Sequence, residues 1–124
     1  MKSTLAIAIL FLLFSSSLQA QAPINDECSG AIPIATDGVA VTVNNANTLI
    51  DGPNPTCGGS GIRDVWYSFT YQGGNLVIQT TLGTNTDTRI AVYDACGGSQ
   101  IACNDDYGGY MSYLLLNCTQ LVPG

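Results

Sequence analysis

Histidine is absent from all 124 residues, and only three basic side chains, Lys2, Arg63 and Arg89, stand against nine carboxylates. Without an imidazole there is no base for a Ser-His or Cys-His pair, which excludes nucleophilic catalysis of those kinds. The same absence denies a four-ligand zinc site its usual nitrogen donors. The shortage of Lys and Arg removes the charge that nucleic-acid phosphates and acidic membrane surfaces demand. Beyond residue 14 there is no second long apolar run and no sustained helical spacing of apolar residues. Membrane insertion of the processed chain is therefore not expected, and the chain reads as all-β.

What is present begins with Lys2, the apolar run LAIAILFLLF over residues 5–14, and the small polar stretch SSSLQAQA. That is the pattern of a secretory signal peptide, since ten apolar residues make about half of a membrane span. Cleavage is expected after Ala20, because a cut after Ala22 would leave Pro23 first. The chain then divides into a signal peptide, 1–20, and one domain, 21–124, with two arginines, nine carboxylates and a formal charge of −7. Export places this domain in an oxidising compartment, secreted, extracellular or on the cell surface. Its five cysteines, Cys28, Cys57, Cys96, Cys103 and Cys118, are accordingly expected in disulfides rather than on zinc. Two bridges and one odd cysteine can be arranged in fifteen ways (five choices of the odd one, three pairings of the rest), and spacing alone does not choose.

Short strands separated by turn residues fill the domain. In DVWYSFTY, residues 64–71, Val65, Tyr67, Phe69 and Tyr71 share one face, with Trp66, Ser68 and Thr70 on the other. Gly73 and Gly74 are expected to turn this strand into a hairpin with NLVIQT, residues 75–80. Further strands are expected at VAVTV (39–43), RIAVYD (89–94), QIACN (100–104) and MSYLLLN (111–117). Such spacing indicates a two-sheet antiparallel β-sandwich. A hairpin centred on Ser99 and Gln100 would set Cys96 opposite Cys103, within reach of a disulfide. The closing Pro123-Gly124 turn with nothing after it is read as truncation of a longer protein, with the last strand or strands missing.

Four segments in order, INDECSGAIPI, DVWYSF, TDTRIAVYDACGGSQIACNDD and LVPG, resemble the bacterial pre-peptidase C-terminal-like domain over most of the mature chain. The resemblance implies a jelly-roll β-sandwich without catalytic function, an accessory module joined to the remainder of a larger secreted protein such as a peptidase. It implies calcium in some members. The chain departs from that family in lacking the strands that usually follow the Pro-Gly turn, which leaves Cys28 to pair with Cys57 or with a cysteine beyond the end.

Three oxygen-bearing side chains, Asn104, Asp105 and Asp106, end one expected strand beside a YGG turn. Calcium takes six to eight oxygens, so this trio needs help, from Asp87 or Asp94. The competing reading is that they cap their own turn through the backbone. Trp66, Tyr107, Tyr110 and Tyr113 offer flat faces of the kind sugars pack on, so polysaccharide or a protein substrate is the expected partner if the module binds anything. A non-binding spacer is the alternative. Asn117-Cys118-Thr119 fits the N-glycosylation pattern. Cys118 is the expected odd cysteine.

Overall fold

The computed structural model describes residues 20–124 apart from Asp51, Gly61 and Leu82. The expected signal peptide lies outside the described residues except for Ala20. A 3-10 turn over Cys28–Gly30 leads into β1 (Ile32–Pro33), followed by β2 (Tyr67–Ser68), β3 (Leu76–Gln79), β4 (Ile90–Tyr93), β5 (Gln100–Asn104) and β6 (Tyr113–Leu116). The architecture is all-β. Two antiparallel ladders, β3 with β6 and β4 with β5, close on a common core, and β1 pairs β2 in parallel at one side.

Alternation decides which side chains enter that core. In β3 and β6 the register sets Leu76 against Leu116 and Ile78 against Leu114, turning these four inward. Val77 and Leu115 pair on the outer face and are half exposed. Leu116 is wholly buried, and Tyr71, Val92, Leu114 and Leu121 complete the centre, with Phe69, Ile90, Ile101 and Ala102 packed around them. Burying an aliphatic side chain of this size contributes about 1.5–3 kcal/mol, so the ladder register is set mainly by this inner row.

The hairpin expected between 64–71 and 75–80 does not form. Gly73 and Gly74 turn the chain with positive φ, and the Tyr71 hydroxyl donates to the Gly74 carbonyl, but β3 then finds its partner in β6. The leucines of β6 match the inward row of β3, which the polar alternates Ser68 and Thr70 would not extend on its outer side. Residues 69–71 join no ladder, yet Phe69 and Tyr71 turn to the core as their alternation required. Residues 39–43 are not a strand. Val39, Val41 and Val43 are all exposed, and the Asp37 carboxylate accepts the Val39 N–H at 3.0 Å where a ladder would begin.

The disulfide expected between Cys96 and Cys103 is replaced by two others. The hairpin loop closes earlier than Ser99: Asp94 N–H donates to the Ser99 carbonyl at 3.1 Å, and Ser99 N–H to Asp94 Oδ1 at 2.7 Å. Cys96 therefore sits in the loop, while Cys103 faces Ala91 across the ladder. Cys96 bonds to Cys28 (Cα separation 5.7 Å), and Cys103 to Cys57 (6.0 Å). Both bridges tie a distant, unladdered segment onto β4 and β5. Cys118 is free and exposed.

Candidate functional site

One corner of the molecule gathers most of the expected site residues. It is built where the chain enters β4, where it leaves β5, and where the 57–59 loop lies across both. Its floor is polar and buried. The Ser112 hydroxyl lies 2.6 Å from the Thr88 carbonyl and 2.8 Å from the Asp105 carbonyl, and its single proton serves one of them at a time. Ser112 N–H donates to Thr80 Oγ1, which also meets Thr88 Oγ1 at 2.6 Å. A serine that is 1 % exposed thus joins the entry to β4, the exit of β5 and Thr80 from beneath.

Arg89 forms the wall. Its Nε and Nη2 donate to the two oxygens of Asp105 at 3.1 and 3.3 Å, and its Nη1 donates to the Gly59 carbonyl at 2.8 Å. This forked geometry is the one in which guanidinium and carboxylate bind best. It also dictates the loop sequence. A Cβ on Gly58, whose φ is +81°, would stand 2.1 Å from Arg89 Nη2 and 2.5 Å from Asp105 Oδ2. Cys57–Cys103 and reciprocal hydrogen bonds between Thr56 and Gln100 hold the loop from the other side.

The rim carries the exposed groups. Ligand oxygens of Asp87, Asp105 and Asp106 all come within 4.8 Å of one another. Asn104 supports the loop, accepting Tyr113 N–H at its Oδ1 and donating its Nδ2 to the Asp106 carbonyl. Tyr107 stacks on Tyr113 with ring centroids 4.7 Å apart, and its N–H donates to the Met111 carbonyl at 2.7 Å. Thr88 N–H donates to the Tyr110 carbonyl, which sets Tyr110 beside the segment carrying Asp87. Tyr107 and Tyr110 are 62 % and 67 % exposed, and they lie on the same loop as the exposed Asp106.

Two expected members lie elsewhere. Asp94 caps its own turn through Ser99 and is no part of the carboxylate group. Trp66 packs against Tyr93, centroids 5.5 Å apart, at the far end of β4. Tyr93 is five residues beyond Thr88, roughly 16 Å at about 3.3 Å per residue, which sets Trp66 well apart from the segment beside Tyr110. The reading of the residues missed Arg89, Gly58 and Ser112. Arg89 had a signal, being one of only three basic residues in the sequence and two positions after Asp87. Ser112 had none, because nothing local separates a buried serine from an exposed one.

The comparisons with known proteins come to one match. A family model described as galactose binding domain-like, and associated with type IX secretion, matches residues 24–121. No curated protein and no solved structure gives a significant match.

Proposed function

Because the chain belongs to this galactose binding domain-like family of secreted proteins, whose fold is a β-sandwich, we propose that it is a noncatalytic glycan-binding module of an exported or cell-surface protein. The match supports the broader part of the resemblance drawn from the sequence, an accessory domain of exported proteins, and does not single out the pre-peptidase family. The binding face is the rim formed by Tyr107 and Tyr110 with Asp87 and Asp106.

The observation that carries this reading is the Tyr107–Tyr113 stack beside exposed carboxylates. One face of Tyr107 is fixed against Tyr113, which leaves the other for the C–H face of a pyranose, while carboxylates accept from its hydroxyls. Ser112 and Arg89 hold both loops before ligand arrives, which lowers the ordering cost of binding. Calorimetric titration with galactose and with a galactan tests the reading. Saturable binding that falls at least tenfold in Tyr107→Ala and Tyr110→Ala supports it; no heat with either sugar, from folded protein, leaves the spacer.

Calcium belongs to the same proposal as a stabiliser of that rim. The donors are all oxygen, as a hard cation requires, and Asp87 and Asp106 are the members not engaged by Arg89. Because Asp105 already gives both oxygens to Arg89, backbone carbonyls and water would complete the shell and the affinity is expected in the millimolar range typical of extracellular modules. An unchanged melting temperature in several millimolar calcium removes it.

A further inference from the structure

The outer face of the β3–β6 ladder adjoins the rim and carries an apolar strip of its own. Successive strand residues point to opposite sides, so with Leu76, Ile78, Leu114 and Leu116 turned into the core, Val77, Gln79, Tyr113 and Leu115 share the opposite face. The register sets Val77 against Leu115 and Gln79 against Tyr113. Val77 and Leu115 are 47 % and 53 % exposed, and Gln79 is exposed beside them. Tyr113 is the junction with the rim, because the ring that stacks on it at 4.7 Å belongs to Tyr107.

None of these four side chains is charged, in a chain with nine carboxylates. The strip therefore has nothing with which to hold an ion, and the polar group it offers is the Gln79 amide, which both donates and accepts. The next residues in the same alternation, Asn75 and Asn117, are amides too. An apolar pair set between amides suits a pyranose, whose C–H faces are apolar and whose hydroxyls both donate and accept. The Tyr107 stack stands at one end of the strip, and Leu115 lies about 7 Å along the strand from Tyr113 at about 3.4 Å per residue. A single ring seated on Tyr107 leaves that length uncovered, whereas a linked chain reaches it. The inner row of the same ladder is locked in the core, so the outer face is fixed in shape before a ligand arrives.

We infer, resting on the glycan reading of the rim, that the rim and this strip form one extended site, which takes a neutral linear glycan chain along the ladder rather than a single terminal sugar. The first ring lies on Tyr107. The rings that follow lie over Val77 and Leu115, and the Gln79 amide exchanges hydrogen bonds with their hydroxyls.

The protein is titrated by calorimetry with galactose and with β-1,4-linked galactobiose, galactotriose and galactotetraose. The expected result is an affinity that rises about tenfold or more from galactose to the trisaccharide and then levels off. Val77→Thr combined with Leu115→Thr puts strand-favouring residues on the ladder and removes much of its apolar surface. In that double variant the trisaccharide-to-galactose ratio is expected to fall to about threefold, the factor that three equivalent rings supply by statistics alone. Gln79→Ala, at an exposed position, is expected to lower the ratio about twofold with no loss of melting temperature. A ratio of about threefold or less in the unaltered protein, or a full ratio in every variant that keeps its melting temperature, overturns the extended site and leaves the rim standing. No heat with galactose or with any oligomer removes the rim and the strip together.

Discussion

Residues 39–43, VAVTV, and residues 100–104, QIACN, invert the ranking that composition assigns them. The first has three β-branched valines in strict alternation and forms no strand; the second is mixed in character and forms β5, the longest strand described. The difference lies in the partner. QIACN follows IAVYD across a turn that Asp94, Gly97 and Ser99 close locally, so its ladder costs little loop entropy. VAVTV forms no ladder with any described residue, and its valines stay largely exposed. Strand propensity is thus a statement about fitting a pleated surface that must already exist. The molecule divides accordingly into a laddered part, β3 to β6 with its core, and a largely unladdered N-terminal part ahead of β2, carrying Cys28 and Cys57, that is held on by covalent and polar ties.

The sharpest test of that division is to cut the ties. Replacing Cys28 and Cys96 together by serine, or Cys57 and Cys103, should each cost about 4 kcal/mol on the loop-closure model. Denaturant titration measures the loss, and limited proteolysis should show new cleavage between residues 34 and 62. Unchanged stability with either bridge removed would mean that the unladdered part holds itself in place. Next in size is Leu116→Ala, which empties a core position with no exposure and should cost about 2–5 kcal/mol.

Alkali should act on the laddered part through two tyrosines. Tyr71 is pushed above the ordinary phenol value by burial and then by Cys118, and Tyr93 by burial and then by Asp64. The folded chain therefore keeps these protons when the unfolded chain has lost them. Their contribution is intact below about pH 10 and declines as the pH rises beyond it. Denaturant midpoints between about pH 9 and pH 11 should fall, and fall less in Tyr93→Phe. The smallest effect is expected for Val41→Thr, within about 0.5 kcal/mol by denaturation, because the side chain it replaces is already in solvent.

The elements legible in the sequence were those whose information is local. The alternation of Phe69 and Tyr71, the strands at β3 to β6, and the solitary Cys118 all followed from spacing and compartment. The gathering of Asp87 with Asp105 and Asp106 was legible because both groups flank strands of one hairpin. Pairings across long separations were not. Nothing around Leu76 announces Leu116, and nothing around Cys28 announces Cys96, since each match depends on a surface made by other segments. The turn chemistry of Asp94 was the misread local signal: its side chain accepting from Ser99 shortens the hairpin and moves Cys96 out of reach of Cys103.

Pairing of β3 with β6 also sets a timetable. Among the described residues Leu114, Leu116 and Leu121 supply three of the five buried apolar ones, so a chain appearing N-terminus first lacks most of its interior until they arrive. Contacts that span so much chain make assembly slow, because loops must close before burial rewards them. An incomplete copy therefore lacks the inner row of β6 and with it most of the buried core.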